Sequence, residues 1–503
     1  MNPSRSRRLA IAVLASAVLT SACGLKPEVK DALAQNPGLA GGAGGGQVAV
    51  DTDGDGTVDS FTTDPGAAGG GTTDAGTTDA GSGTTGAGSG TTGSGTSGSG
   101  TSGSGTTGSG TSGSGTGTTG GTASGPTMPV KGQGNTTGID FESKTITIVV
   151  HGPLTGAGVP QESFKTGGPK YWEQSGPKGG PRLLWGEWKV KVVAVDDKYN
   201  AQDALRACNS AAKSAFAIFG GAGTDQIQAC AQSQVLRRGN VPYLSSGVTE
   251  SGLGSLPNYF AGSMTYKQQS PLVIRAAKEK GFMNKKWAIV ITGTPNFADA
   301  RDSFAAELIK NGAKGSSGAF NKDKDIILTE KAPRDCLTVG NQLRSGGYEA
   351  VYFLGQPLFF GQCVNQYPTA TYTGPGPSFG IQSVADLACR GGAGGFKGFY
   401  LHPSPDKAMA QKAAAGAPAF TDDIEAGIWG GMQQLEQAFN LIKGPVNRES
   451  FIAALAKSGT PGGVLQPSVF GGKTRFGGTG AFLNQITCSG TSGVIKTVAT
   501  YKK

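Results

Sequence analysis

The chain has 503 residues, 86 of them glycine, and a formal charge of +9. Most of the glycine excess falls between about residue 40 and residue 125, where Gly, Ser and Thr recur as GSGTSGSGTTGSGTSGSG, too poor in apolar groups to offset the entropy of ordering. Residues 24–135 hold three Lys and nine acids, so from residue 136 onward there are 38 basic and 26 acidic residues, a net of +12. Those basic residues are scattered and no run interleaves them with aromatics, which excludes a nucleic-acid groove and leaves an anionic surface or anionic solutes as partners.

In chain order, the first feature is a basic start (Arg5, Arg7, Arg8), an apolar run from Leu9 to Leu19, and Thr20-Ser-Ala-Cys23. The run is too short to span a bilayer and has the layout of a secretory signal. With Cys in the first mature position, it resembles a bacterial lipoprotein signal, although Thr20 stands where that pattern usually has Leu. The expectation is a signal peptide over 1–22, lipid on Cys23 and a protein anchored to the outer face of the cell membrane. Residues 23–138 then read as a flexible Gly/Ser/Thr-rich linker, and a coil of about 95 such residues spans roughly 50 to 60 Å. Within it, Asp51, Asp53, Asp55 and Asp59 occupy the first, third, fifth and ninth places of a calcium loop, with Gly56 at the sixth. The twelfth place is Thr62, which lacks the bidentate carboxylate, so the segment reads as solvated linker.

From Thr145 short apolar runs alternate with helical patterns. Strands are expected at Thr145–Val150, Trp188–Val195, Phe216–Phe219 and Val241–Leu244, and helices at 204–215 and 225–238. A second set follows, with strands at Trp287–Thr292, Asp325–Leu328 and Ala350–Leu354, helices at 298–311 and 335–344, and a further helix after the last strand running through Cys363. A repeating βα pattern implies parallel sheets covered on both faces, and roughly 365 residues are too many for one core, so two lobes are expected. Asn258–Met264 has neither periodicity and reads as the junction; a second crossover is expected near Leu401-His402-Pro403. In open α/β sheets ligands bind beyond the carboxyl ends of the strands. Three loops there are rich in glycine and hydroxyls: Gly152–Thr155, Gly220–Thr224 and Ser245–Thr249.

The order His151-Gly-Pro-Leu-Thr-Gly156, Val195-Asp-Asp197, Phe219-Gly-Gly221, Val241-Pro242 leading to Leu244-Ser-Ser-Gly-Val-Thr249, and Trp287-Ala-Ile-Val-Ile-Thr292 resembles type I periplasmic binding proteins of the branched-chain amino acid class, the receptors of ABC importers. The resemblance runs from about residue 140 to the C-terminus. It implies an α/β fold of two Rossmann-like lobes joined by a three-strand hinge, with lobe 1 formed by 139–262 and 402–480 and lobe 2 by 263–401 and 481–503. It implies a ligand carboxylate held on lobe 1 by Thr224, Gly247 and Thr249, with Thr155, Gly223 and Ser246 in the same loops. Lobe 2 would supply Phe297, Gln356 and, where the family has an acid for the ligand ammonium, Gln382. An uncharged Gln382 puts that ammonium clamp in question and opens the ligand class to amides and small carboxylates. Asp386, one helical turn on, reads as an ordinary helix residue.

Besides Cys23 there are six cysteines, an even number that favours disulfides in an exported chain. The family's chain path implies the pairs Cys208–Cys230, Cys336–Cys363 and Cys389–Cys488, each within one lobe. No cysteine pair has zinc-site spacing, and the only histidines are His151 and His402, so neither a metal nor a cofactor is expected. An enzyme is not expected either. The Gly-x-Ser-x-Gly strings lie in the linker, and the phosphate-loop ending Gly472-Lys-Thr474 has Pro467 where its first Gly belongs. The reading is a lipid-anchored receptor that captures a small molecule for ABC permease and ATPase subunits; the alternative is a ligand sensor or surface-interaction protein on the same fold.

Overall fold

The computed structural model describes residues 127–156, 162–245, 252–329, 335–375, 382–390, 396–460, 462–472 and 474–503. It also describes two short strands, Gln47–Val50 and Ser60–Thr63, which pair antiparallel within a separate unit, Gly42–Ala123. The expectations for residues 1–22, Cys23, Asp51–Asp59, Ser246, Gly247 and Thr249 lie outside the described residues.

The first lobe is built from β1 (Ile139–Asp140), β2 (Thr145–Gly152), α1 (Glu162–Trp172), β3 (Lys189–Asp196), α2 (Ala201–Ala211), β4 (Ala217–Gly220), α3 (Thr224–Gln232), α4 (Gln234–Arg238), β5 (Tyr243–Ser245) and β6 (Tyr259–Ala261). β2 lies between β3 and β4, parallel to both, and β5 and β6 extend the sheet in parallel beyond β4. Alternation along β2 divides its side chains: Ile146, Ile148 and Val150 enter a core with α1, while Val149 enters the opposite one with Cys208, Ile218 and Cys230.

The chain then enters the second lobe: α5 (Tyr266–Glu279), β7 (Trp287–Thr292), α6 (Ala298–Lys310), β8 (Ile326–Thr329), α7 (Cys336–Gly346), β9 (Ala350–Leu354), α8 (Pro357–Val364), β10 (Thr371–Pro375), α9 (Gln382–Cys389) and β11 (Lys397–His402). It returns to the first lobe as α10 (Lys407–Ala413), α11 (Asp423–Leu441) and α12 (Arg448–Leu455), and ends in the second as the hairpin β12 (Gly480–Ser489) and β13 (Ser492–Lys502). The second sheet has the order β8-β7-β9-β10-β11-β12-β13, parallel through β11 and antiparallel at the hairpin.

The connecting segments meet side by side. Ala261 N–H donates to the Arg475 carbonyl at 2.7 Å and its own carbonyl accepts from Gly477 at 2.9 Å. Asp406, just past β11, is tied to Thr497 on β13 by bonds of 2.8 and 2.9 Å. Disulfides join Cys208 to Cys230 (α2 to α3), Cys336 to Cys363 (α7 to α8) and Cys389 to Cys488 (α9 to β12), with Cα separations of 5.7, 4.5 and 5.4 Å.

Several elements depart from the sequence reading for local reasons. The helix expected over 225–238 is two helices, because Ser233 adopts ψ 130° and its hydroxyl caps α4 through the N–H groups of Val235 and Leu236. α1 gave no periodic signal, since Gly167, Gly168 and Pro169 interrupt it. Those glycines are required by close packing: a Cβ on Gly167 would come 2.9 Å from Ile428 of α11, and one on Gly168 would come 2.5 Å from Val192 of β3. Part of the segment read as linker is bonded into the first lobe: Val446 N–H donates to the Met128 carbonyl at 3.1 Å and Arg448 N–H to the Asn135 carbonyl at 2.9 Å. Among the described residues no helix is long and apolar enough to cross a membrane.

Candidate functional site

The carboxyl ends of the first-lobe strands carry a bonded polar layer. Asp196, at the end of β3, accepts from the N–H groups of Leu154 and Thr155 at 2.9 and 3.0 Å and from the Thr155 hydroxyl. Burial opposes the charge, but the Thr155 hydroxyl and the surrounding N–H groups hold the Asp196 carboxyl below its ordinary range. Thr155 is therefore committed to its own loop. Beneath it, fully buried His151 bridges Asp197 (Nδ1, 2.9 Å) and Tyr243 (Nε2, 2.6 Å). This resembles a proton relay in composition, yet all three residues are buried and the chain runs into the core rather than to a nucleophile. The sulfurs of Cys208 and Cys230 lie within 4.8 Å of a His151 ring nitrogen, but joined as a disulfide they offer no thiolate to a metal.

Gly223, at φ +83°, turns the chain from β4 into α3, and a Cβ there would collide with the Gln226 amide. The turn presents Thr224 and Asp225 to the second lobe. Thr224 Oγ1 shares a 3.3 Å hydrogen bond with the Tyr266 hydroxyl at the start of α5, and the Asn296 amide donates to Asp225. Phe297, on the turn after β7, meets the Tyr266 ring edge to face at 6.1 Å. Tyr199 lies in the same region: burial first, then the charges of Asp225 and Asp197, raise its phenol. Burial likewise raises Tyr266, with Asp299 and Tyr199 adding to it. Both phenols therefore stay protonated and able to donate across the physiological range.

Of the residues read from the sequence, the structure brings Gly223, Thr224 and Phe297 together across the lobes. Gln356 stands at the start of α8, half-buried, with no capping bond from its side chain. Gln382 goes elsewhere: its amide donates to the Gly493 carbonyl at 2.6 Å and to Asp386 at 2.9 Å, and Asp386 accepts the Gly493 N–H at 2.9 Å, so both fasten α9 to the terminal hairpin. Sequence reasoning missed Tyr199, Tyr266 and Asn296. Asn296 and Phe297 share the string Thr292-Gly-Thr-Pro-Asn-Phe297 just past a strand end, and that position was the available signal. A cavity of about 270 Å³ lined by Trp172, Arg182, Lys189 and Lys191 lies where β2 and β3 begin, the opposite edge of the sheet.

Two α/β lobes thus face each other through their strand ends and are joined by adjacent crossing segments. A family profile described as periplasmic binding protein matches residues 146–491, and the chain belongs to that family. The family is one of extracytoplasmic binding proteins rather than enzymes. Its fold is shared by a solute-binding protein of an ABC transporter from R. palustris in complex with 4-hydroxybenzoate, at 18% identity and TM-score 0.58 over 71% of this chain and 97% of that one. A fatty acid ABC transporter substrate-binding protein from Thermomonospora curvata aligns at 16% identity and TM-score 0.57 over 73% and 95%. A leucine-, isoleucine-, valine-, threonine- and alanine-binding protein from Brucella ovis, in its closed conformation, aligns at 14% and 0.57 over 71% and 95%. No curated protein sequence matches the chain.

Proposed function

We propose that this protein is the lipid-anchored, extracytoplasmic solute receptor of an ABC importer, capturing a small polar solute between two lobes that close about the hinge. Lobe 1 comprises 139–262 and 402–480 and lobe 2 comprises 263–401 and 481–503, held from the membrane at Cys23 by the linker. The observation that carries the reading is the meeting of Thr224 with Tyr266 and of Asp225 with Asn296 across the strand-end faces of the two lobes. Solute docks on the first lobe at Gly223 and Thr224 with Ser246, Gly247 and Thr249. Phe297, Gln356, Tyr266 and Asn296 then close over it. Thr155 and Gln382 support the walls. The permease and ATPase subunits receive the loaded form.

Melting the purified protein with amino acids, amides, urea and small carboxylates tests capture: a solute that raises the melting temperature, and does so less in Thr224→Val, supports it. No stabilisation by any of these solutes would overturn it. For the anchor, Cys23→Ala should release the protein from membranes; unchanged membrane association of that variant would rule the lipid out.

A further inference from the structure

Among the described residues, three hydroxyls at the strand ends of the second lobe have no hydrogen-bond partner: those of Thr292, Thr294 and Thr329. Thr292 closes β7 and Thr329 closes β8, and the two are register partners in the parallel pair. Residues 288 and 290 of β7 and 327 of β8 point into the core under α7 and α8, so alternation puts Thr292 and Thr329 on that same face. They are 4% and 7% exposed, and a buried hydroxyl without a partner carries a desolvation cost that a bound acceptor would offset. Beside them, a Cβ on Gly355 would come 3.0 Å from the Thr292 hydroxyl oxygen, so glycine leaves that oxygen uncrowded. Two residues further on, α8 starts at Pro357 with no side-chain cap, and its dipole favours negative charge at that end. Thr294 lies on the turn that leads to Asn296, which bonds to the first lobe, so this edge faces the cleft.

We propose that Thr292, Thr294 and Thr329 form a subsite for an acceptor oxygen, a carboxylate or hydroxyl at the end of the solute remote from its docking carboxylate. The solute class is then a small acid with a second oxygen function, a dicarboxylate or hydroxy acid, rather than one that offers the second lobe an ammonium. An ammonium can donate to a threonine oxygen, but it supplies no acceptor for the threonine proton, and three such protons are waiting. A carboxylate, with about four lone-pair sites, satisfies them together. The subsite rests on the capture reading and sharpens it, since it replaces the charge absent at Gln382 with neutral donors.

The test pairs probes that differ only in the distal oxygen: butyrate with succinate, and benzoate with 4-hydroxybenzoate, with leucine as the ammonium-bearing control. Calorimetry should show at least one oxygen-bearing member binding about tenfold or more tighter than its partner. Thr292→Val and Thr329→Val should each remove most of that difference while leaving the affinity for the simpler acid unchanged. The unliganded valine variants should melt at or above the wild-type temperature, because valine keeps the shape and removes an unpaired polar group. Equal binding within both pairs, preference for leucine, or unliganded variants that melt lower would overturn the subsite while leaving capture intact. Failure of every probe to bind would overturn the subsite, whereas capture falls only if the wider melting screen of amino acids, amides, urea and small carboxylates also shows no stabilisation.

Discussion

At the strand ends of the first lobe, polar side chains are bonded to one another: Thr155 to Asp196, and His151 to both Asp197 and Tyr243. At those of the second, Thr292 and Thr329 hold their hydroxyls buried and, among the described residues, unpartnered. The two lobes share an architecture, so the difference lies in what each has left to gain. A layer already satisfied is a rigid floor on which a solute can dock without rearrangement. One with unmet donors gains hydrogen bonds only when a partner arrives, and that gain can favour closure.

The lobes also differ in how they are fastened, and disulfide loss should expose this most strongly. Cys389–Cys488 closes a loop of 99 residues and anchors the terminal hairpin, whereas Cys208–Cys230 closes one of 22. On chain-entropy grounds, serine at both positions of the longer loop should cost about 4.7 kcal/mol and at both positions of the shorter about 3 kcal/mol. Denaturant unfolding monitored separately in each lobe measures both, and equal losses would remove this part of the contrast.

The first lobe relies instead on Arg448. Its buried guanidinium donates to the Phe216 carbonyl at 3.2 Å, to Gly239 at 2.8 Å, to Ala212 at 2.9 Å and to Ala215. Arg448→Leu strands those carbonyls and should cost about 3 to 5 kcal/mol, read as a lower denaturation midpoint for the first lobe alone.

A pH effect of intermediate size arises near the hinge. Burial, with Asp422 beside it, pushes the Asp423 carboxyl up to about 8. The folded protein therefore holds a proton there that the unfolded chain has released, and stability falls as pH rises from the ordinary carboxylate range toward 8. Burial lowers the His402 imidazole from 6.5 to about 4, so its contribution is lost as pH falls through that interval. The two slopes oppose each other below 6.5, and above it only that of Asp423 remains. Melting scans should accordingly show Asp423→Asn flattening the decline between pH 6.5 and 8, with the variant above wild type at pH 8.

The smallest effect is expected at the contact between lobes. Asn296→Ala removes the donor to Asp225 and should weaken closure by about 1 kcal/mol. Small-angle scattering of the unliganded protein should then give a larger radius of gyration; an unchanged radius would mean that this contact does not hold the lobes together.

Much of the fold was legible because buried parallel strands read as continuous apolar runs: Trp287–Thr292 and Ala350–Leu354 sit where the sequence put them. α1 was not, because the glycines that admit Val192 and Ile428 also erase its helical signature. The terminal hairpin escaped because residues such as Lys496, Thr497 and Thr500 alternate weakly on an edge strand that is half exposed. Within the site, Thr224 follows from a strand-end loop of recognisable composition, whereas Phe297 was reached only through the family resemblance. Tyr266 could not be read in the same way: it begins a helix well separated in sequence from Thr224, and only the packing of the two lobes brings the hydroxyls together. The hydrogen bonds of Gln382 were equally hidden, since its acceptor, Gly493, is 111 residues away.

The bonds from Met128 and Asn135 to Val446 and Arg448 have a mechanical consequence. Tension arriving along the chain ahead of residue 127 is taken up at α12, next to the Arg448 strut, before it reaches any segment that crosses between lobes. In the proposed closure the first lobe would therefore act as the fixed jaw and the second as the swinging one. If the chain is anchored at Cys23 as proposed, a drag along it would shift both lobes together without prying them apart.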